Sequence, residues 1–368
     1  MLIRFNIKNY LSFSERDDGK TEEFSMIAGK VRNKTEHLYN DGKIKLLKFA
    51  AVYGANAAGK SNLVKALNFV RLVVLRGLPE GHTDQYCKIN HVNKDKASYF
   101  ELEILLGGKY YTYGFEVVLS QSRFVSEWLI ELRSDNSERV IFTRDIEQGK
   151  YELGNELTAK GINERIQVYM DDVCNDSTVL FLSIMNQNKK NLYQEYPGAS
   201  IIRNVFVWLG ASLDINYPNQ PISDYSYLAK TNNIAEVCRI ISAFGTGITN
   251  FEMVDVPLEK VVAPLPKKLQ DLIYKDIEQK QVELRNSIKL NSNGTVLRSA
   301  GIVMRSNSDF FVIEIGQNDK IRCQTVEFSH GKKETLFRLS EESDGTIRIL
   351  DLLEILLAGE NKTYVIDE

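Results

Sequence analysis

The sequence predicts an α/β protein in which two α/β segments enclose an antiparallel sheet and a helical block. Residues 46–53, LLKFAAVY, form a short apolar run that predicts a buried strand before a glycine-containing turn. Residues 97–155 alternate between polar and apolar side chains, which favours an antiparallel meander. Helical patterning then dominates residues 160–290, and strands return near 309–329. Alternating elements at both ends favour one sheet with strands from both halves of the chain.

The first predicted elements are a half-buried strand and an amphipathic helix. Ile3, Phe5 and Ile7 alternate with polar residues at the start of the chain, as expected of a strand with one face in a core. The helix after the glycine-containing turn has apolar residues at helical spacing, namely Leu63, Leu67, Val70 and Val74.

The patterning divides the chain into three predicted segments. Residues 1–160 form an N-terminal lobe with the antiparallel subdomain, and residues 161–295 form a helical insertion. Residues 296–368 form a C-terminal lobe. The helical segment contains an apolar stripe made of Ile201, Ile202, Val205, Phe206 and Leu209.

Composition excludes several classes of protein. Of the 368 residues, 43% are hydrophobic and 26% charged, which is typical of a globular protein rather than a disordered chain. No apolar run is long enough for a membrane-spanning helix, and the N-terminus lacks the features of a signal peptide. The four cysteines are dispersed without a CxxC pair, which indicates reduced thiols in a cytoplasmic protein without membrane association. The net charge of −3 means that contact with nucleic acid, although possible, would need a local basic patch.

The strongest motif is the segment Gly54–Ser61, GANAAGKS, which fits the phosphate-loop pattern GxxxxGK[ST]. Glycines let the backbone wrap phosphates, and the following helix presents its positive end to an anion. Lys60 is predicted to reach the β- and γ-phosphates of ATP as a catalytic group, and Ser61 to ligate Mg²⁺. The alternative is an ordinary strand–turn–helix corner. The residues predicted to bind the nucleotide here are Gly54, Ala55, Asn56, Ala57, Ala58, Gly59, Lys60, Ser61 and Asn62.

A second motif is the segment 364–368, YVIDE, an apolar strand followed by two carboxylates. Asp367 is predicted to hold Mg²⁺, commonly through water, and Glu368 to act as the general base that polarises the attacking water. Alone this pattern is weak, because many strands end in an acidic turn.

A third motif is the segment 339–346, LSEESDGT, followed by an apolar helical stripe. Ser343 is predicted to be the N-cap of that helix, and Gly345 permits close approach of another backbone. The helix would present a second N-terminus able to bind an anion. The alternative is a plain N-capped helix.

Taken in order, these motifs resemble those of ABC-type ATPase heads of the SMC and OLD-nuclease kind. Ser343-Asp344-Gly345 stands where those families have Ser-Gly-Gly. The closer resemblance is to AAA/ABC-type ATPases of bacterial phage defence, including RloA or AbiL-type proteins and the ATPase subunit of PARIS systems. The segments that carry this resemblance are MLIRFNIKNYLSFSE, YGANAAGKSN and LSEESDGTIRILDLL.

The resemblance implies a P-loop NTPase fold of the ABC-type head, with an antiparallel β subdomain and a helical insertion. It further implies that two heads pair in a homodimer or higher homo-oligomer with ATP and Mg²⁺ between them. One protomer would supply the phosphate loop and Asp367, and the other would supply Ser343 and Gly345. A small nuclease or toxin would be the effector partner. Two alternatives stay open: a DNA-repair-type ATPase that clamps DNA, and an OLD-like nuclease with its catalytic domain beyond residue 368.

The sequence departs from the family pattern in two places. The D-loop and the switch histidine that follow the acidic strand in the family are not found, so we expect the natural chain to continue past Glu368. A Q-loop glutamine is not evident after the first helix, and Gln85, Asn90 and His91 all lie in the expected region. His330 precedes the third motif and is predicted to be a turn histidine.

Overall fold

The computed structural model forms two compact units, Met1–Ile215 with Asn361–Glu368, and Asn216–Glu360. The residues that the structure describes are 1–31, 33–133, 135, 137–158, 163–218, 221–231, 233–289, 299–306, 308–316, 320–331, 335–357 and 362–367.

The first unit contains most of the strands. Its strands are β1 (Leu2–Lys8), β2 (Glu22–Ser25), β3 (Leu38–Asn40), β4 (Lys45–Leu47), β5 (Ser98–Leu106), β6 (Lys109–Val118), β7 (Arg123–Leu132), β8 (Glu138–Asp145), β9 (Lys150–Leu153), β10 (Leu213–Asn216, whose last residue begins the second unit) and β16 (Thr363–Ile366). Its helices are α1 (Lys60–Arg76), α2 (Asn163–Val173), α3 (Phe181–Asn186), α4 (Lys190–Glu195) and α5 (Ser200–Val207).

A seven-stranded antiparallel sheet organises this unit. Its strand order is β2-β1-β5-β6-β7-β8-β9. From β5 onward, each strand pairs with the next along the chain, as in Leu102 opposite Tyr113 and Trp128 opposite Thr143. The predicted meander over 97–155 is therefore confirmed, together with the mixed α/β fold class.

One face of this sheet and helix α1 form the main core. Phe100 of β5 packs against Tyr10 and Phe69, with ring centroids 5.1 Å apart in each pair. Along α1, Leu67 and Val70 are buried as the helical spacing predicts. A buried leucine such as Leu67 contributes about 2–5 kcal/mol relative to alanine, so the core fixes the helix on the sheet.

A buried ion pair joins the sheet to helix α3. The carboxylate of Glu127 accepts the backbone N–H groups of Phe181 and Leu182 at 2.6 and 3.0 Å. The Arg144 guanidinium lies 3.6 Å from Glu127 and donates to the carbonyl of Val179 at 2.8 Å. Burial raises the pKa of the Glu127 carboxyl, while the charge of Arg144 and the two backbone donors oppose that rise. Glu127 thus provides hydrogen-bond acceptors for the first N–H groups of α3, which have no partner within the helix.

The second unit combines a smaller sheet with helices. Its strands are β11 (Ile248–Asp255), β12 (Ser299–Arg305), β13 (Phe310–Gly316), β14 (Ile321–His330) and β15 (Leu336–Arg338). Its helices are α6 (Ser226–Lys230), α7 (Ile234–Ala243), α8 (Leu258–Val262), α9 (Lys267–Lys289) and α10 (Asp344–Leu357). The strand order is β11-β14-β13-β12, and β15 pairs with β14.

The strands expected near 309–329 are confirmed as β13 and β14. Strand β11 was not expected, because residues 160–290 were predicted to be helical. It forms because Ile248 and Phe251 enter the core while the backbone pairs with β14 along its whole length. Pairing between residues this distant in sequence overrides local periodicity.

The predicted strand over residues 46–53 is wrong for most of its length. Strand β4 ends at Leu47, and beyond it Phe49 and Tyr53 are 79% and 89% exposed. No strand in the described part of the chain pairs with residues 48–53. An apolar run becomes a strand only where a neighbouring strand satisfies its backbone, and composition does not report on that neighbour.

The division into segments 1–160, 161–295 and 296–368 stays a prediction. In the structure, helices α2 to α5 contribute to the core of the first unit, for example through Ile166 and Ile202. Among the described residues, no helix has the length and apolar character needed to cross a membrane.

Candidate functional site

The phosphate-loop segment is an exposed loop that leads directly into α1. Gly54 through Ala58 are exposed, and Ala57 and Gly59 both have positive φ, of 65° and 95°. Gly59 is the N-cap residue of α1, and no side chain caps this helix start. The first turn also contains no acidic residue. The positive end of the α1 dipole therefore faces the loop without an acidic side chain from the first turn of its own helix to neutralise it.

Lys60 bends back over the loop that precedes it. Its ammonium group donates to the carbonyl oxygens of Gly54 and Ala55, at 2.8 and 2.9 Å. These two bonds hold the lysine charge inside the curve of the loop. A phosphate in the loop would take over the same donors.

Ser61, one residue further into α1, meets a carboxylate from the other end of the sequence. The Ser61 hydroxyl donates to Oδ1 of Asp367 at 3.0 Å. Asp367 directly follows β16, which pairs with β10. The two predicted metal ligands are thus brought together across 306 positions of sequence. Glu368, the predicted general base, lies outside the described residues.

The turn after β1 adds a residue that the motifs did not indicate. The side-chain amide of Asn62, the last residue of the predicted nucleotide set, donates to the hydroxyl of Ser12 at 2.9 Å. A Cβ at Gly59 would lie 2.9 Å from the same hydroxyl oxygen. Ser12 therefore packs directly on the start of α1. A short polar residue in a turn after a strand was the available signal, and it is too common to identify a site.

That turn is rigid. Asn9 is buried, has φ of 54°, and its amide donates to the carbonyls of Asn93 and Lys96 at 2.8 and 3.0 Å. Leu11 also has positive φ, and non-glycine residues rarely adopt this conformation unless the surroundings enforce it. The clamped backbone fixes Ser12 against the loop.

Of the three candidate Q-loop residues, Gln85 is tied to this turn. The Tyr10 hydroxyl donates to Oε1 of Gln85 at 2.8 Å, and the Leu11 N–H donates to the Gln85 carbonyl at 2.7 Å. Asn90 instead accepts the N–H of Val92 in a local turn, and His91 is exposed. The structure therefore connects Gln85 to the turn that carries Ser12.

The third motif forms the capped helix start that the sequence predicts. The Ser343 hydroxyl oxygen accepts the N–H of Thr346 at 3.1 Å and lies 2.9 Å from the Thr346 hydroxyl. Helix α10 begins at Asp344, which places an acidic residue in its first turn. A Cβ at Gly345 would meet Ser343 Oγ at 3.8 Å and no other described atom within 4 Å, so this side of the helix start is open.

Helix α10 is attached to the small sheet through a buried ion pair. The Arg305 guanidinium and the Asp351 carboxylate lie 3.6 Å apart, and both side chains are almost fully buried. Burial raises the pKa of the Asp351 carboxyl, and the positive charge of Arg305 opposes that rise. The Arg305 guanidinium also stacks 4.1 Å from the ring centroid of Tyr225. These contacts hold the middle of α10.

His330, predicted to be a turn residue, is instead the last residue of β14. Its Nε2 lies 2.7 Å from Oε1 of Glu342, the residue immediately before Ser343. The two residues are twelve positions apart, and the sequence gave no signal for this pairing.

Comparison with known families supports the interpretation of Gly54–Ser61 as a phosphate loop. Residues 49–159 match the family model described as AAA domain, putative AbiEii toxin, Type IV TA system. The matched segment contains the phosphate loop, α1 and the meander, and supports an AAA/ABC-type ATPase family with a P-loop NTPase fold. It spans less than a third of the chain. The comparison with curated proteins gave no significant match.

Proposed function

We propose that this protein is an ATPase that binds and hydrolyses MgATP at the loop before α1. The observation that carries the proposal is the 3.0 Å hydrogen bond between Ser61 and Asp367. In P-loop NTPases, a hydroxyl at this position and an acidic residue after a neighbouring strand hold Mg²⁺ together. Chance would rarely bring such a pair together from opposite ends of a sequence.

The side chains present fit both groups. Mg²⁺ prefers hard oxygen ligands, and Ser61 and Asp367 offer a hydroxyl and a carboxylate oxygen within contact distance. The ammonium of Lys60 suits phosphate oxygens, as does the exposed backbone from Gly54 to Ala58. When bound, Mg²⁺ would neutralise charge on the β- and γ-phosphates.

Each residue then has a defined task. Lys60 exchanges the carbonyls of Gly54 and Ala55 for phosphate oxygens, and Ser61 and Asp367 orient the metal. Asn56 and Asn62 are proposed to add further contacts to the nucleotide. Glu368 is proposed to orient and deprotonate the attacking water.

We further propose that the nucleotide lies between two protomers. Ser343 and the backbone at Gly345 of one chain would contact the γ-phosphate held by the other. The open side of Gly345 and the N-terminus of α10 support this arrangement, since a helix start attracts anions. A homodimer or a higher homo-oligomer built through these heads provides it.

The proposed biological setting is anti-phage defence. The family model that matches residues 49–159 is named for a putative abortive-infection toxin, and the motifs resemble RloA or AbiL-type proteins and the PARIS ATPase subunit. In this setting the ATPase would act as sensor and scaffold for a small nuclease or toxin. That partner is inferred from the resemblance alone.

The test is ATP turnover of the full chain measured against protein concentration. Specific activity should rise with concentration until assembly saturates. Mixing the inactive variants Lys60→Ala and Ser343→Arg should restore activity, because one hybrid site keeps an intact loop and an intact Ser343. Turnover that is independent of concentration and is not restored by mixing would contradict the shared site and indicate a self-contained one.

A further inference from the structure

We propose that His330 is a positioning residue for Ser343 and acts through Glu342. The inference deepens the shared site proposed above and rests on it. His330 would not touch the nucleotide. It would fix the backbone from which Ser343 is presented to the partner's phosphate.

The contact between the two side chains is short, and its carboxylate side is shielded from water. His330 Nε2 and Glu342 Oε1 are 2.7 Å apart, and the side chain of Glu342 is 4% exposed whereas that of His330 is 31% exposed. Carboxylate oxygens accept hydrogen bonds, so we assign Nε2 as the donor of this bond. A buried carboxylate that loses its donor is costly, which makes this bond important for the local conformation.

The imidazole is itself held in place from two sides. The ring of Phe337 meets it edge-on, with centroids 5.3 Å apart and planes at 84°. Gly247 approaches from another side, where a Cβ would lie 3.2 Å from Nδ1. Phe337 belongs to β15, which pairs with β14, so the strands fix both the ring and its neighbour. His330 is therefore a firm anchor.

The anchor acts on the residue next to Ser343. Glu342 has extended backbone (φ −77°, ψ 154°) and joins the short 3-10 turn Leu339–Glu341 to the start of α10. Its bond to His330 ties that junction to the end of β14. Ser343 then bonds Thr346 and orients its hydroxyl. Without the imidazole, Glu342 would turn toward water and carry Ser343 with it.

The expected effect follows from the precision that phosphate contacts need. A displacement of about 1 Å in a catalytic contact can reduce turnover by about 100-fold. His330→Ala should therefore lower ATP turnover by at least 10-fold. His330→Gln should keep most activity, because its amide N–H can reach the position of Nε2. His82→Ala is the matched control, since His82, in the first unit, also makes a short side-chain hydrogen bond through Nε2, to the Ser122 hydroxyl at 2.7 Å.

The decisive measurement is complementation between variants. His330→Ala mixed with Lys60→Ala should regain activity, since one hybrid site has an intact loop and an intact Ser343 side. His330→Ala mixed with Ser343→Arg should show no gain in turnover over His330→Ala alone, because both chains are damaged on the same side. Binding of a fluorescent ATP analogue to isolated His330→Ala protomers should match that of the unmodified chain.

The outcomes separate the two proposals. If Lys60→Ala with Ser343→Arg fails to complement, the shared site is wrong and the role of His330 falls with it. If that pair complements but His330→Ala complements Ser343→Arg, or fails with Lys60→Ala, the positioning role alone is wrong. Should His330→Ala not fold, His330→Asn provides the same test, because its shorter amide is polar but falls short of Glu342.

Discussion

The helices α1 and α10 begin in opposite ways. Helix α1 has Gly59 as its N-cap residue, no side-chain cap and no acid in its first turn. Helix α10 has a hydroxyl cap from Ser343 and begins at Asp344. The carboxylate near α1 belongs to Asp367, 306 positions away, whereas α10 draws its acidic group from its own first residue.

This difference separates a helix start that needs an external anion from one that is already satisfied. An uncapped start with a positive dipole end gains most from a bound phosphate. A start with its own cap and its own carboxylate gains less and is stable without a ligand. We therefore expect α1 to dominate nucleotide binding, and α10 to contribute a weaker contact that matters when two chains meet.

Replacing Lys60 should have the largest effect. Lys60→Ala removes the cation that curls over the loop, and the loss of one charged donor to a developing oxyanion costs about 100-fold or more in turnover. ATPase assays of Lys60→Ala should be compared with Lys65→Ala, an exposed lysine on the same helix. Equal activity in the two variants would contradict the expectation that the start of α1 dominates nucleotide binding.

Gly59→Ala should have the second-largest effect, on nucleotide binding. The φ of 95° strains any side chain by about 1–2 kcal/mol, and the new Cβ would lie 2.9 Å from Ser12 Oγ. Fluorescent-nucleotide titration should show weaker binding than in Gly77→Ala, at the other end of α1, where positive φ occurs with nothing within 4 Å.

The double variant Gly59→Ala with Ser12→Ala isolates the steric part of that loss. The remaining neighbour, Ser12 Cβ, would be at 3.8 Å, an ordinary contact. Partial recovery of binding is expected, and no recovery would assign the whole loss to backbone strain.

Substitutions of Ser343 should have an intermediate effect and separate capping from catalysis. Ser343→Ala loses the N-cap bond to Thr346 and about 1 kcal/mol of stability, along with activity. Ser343→Asp keeps a good cap but adds negative charge where a phosphate would approach. Thermal unfolding should therefore show Ser343→Asp to be as stable as the unmodified chain, while its turnover falls. Full turnover in Ser343→Asp would exclude a phosphate at this helix start.

Asp344→Asn should give the smallest change. Removing this first-turn charge weakens the helix by about 0.3–1 kcal/mol but lessens repulsion of an approaching phosphate. We expect a few-fold rise in turnover at low salt that disappears at high salt, because screening removes the difference. A fall in turnover at low salt would mean that Asp344 supports the contact of the α10 start with phosphate and does not weaken it by repulsion.

Local patterns predicted the parts of this molecule that depend on local structure. Period-two alternation predicted β5 to β8, and a hydroxyl before an amphipathic stripe predicted the Ser343 cap. The phosphate-loop and acidic-strand motifs assigned Ser61 and Asp367 to one task, and the fold brings them into contact.

Features that depend on a distant neighbour and are marked by no motif were not predictable. Residues 48–53 have the composition of a strand but lack a partner among the described strands, and β11 was hidden because its partner β14 lies about 75 residues on. The contact of His330 with Glu342 depends on the pairing of β14 with β15, and a single histidine in the sequence does not indicate that pairing.

The separation of Ser61 and Asp367 has a consequence for the timing of biosynthesis. A ribosome adds about 5–20 residues per second, so about 15 to 60 s pass between the two residues. During that interval α1 and its loop can be complete while the carboxylate that faces them has not yet been made. Under the function proposed above, the loop of a nascent chain would bind phosphate alone, and the contact of Ser61 with Asp367 proposed to orient Mg²⁺ would form only afterwards.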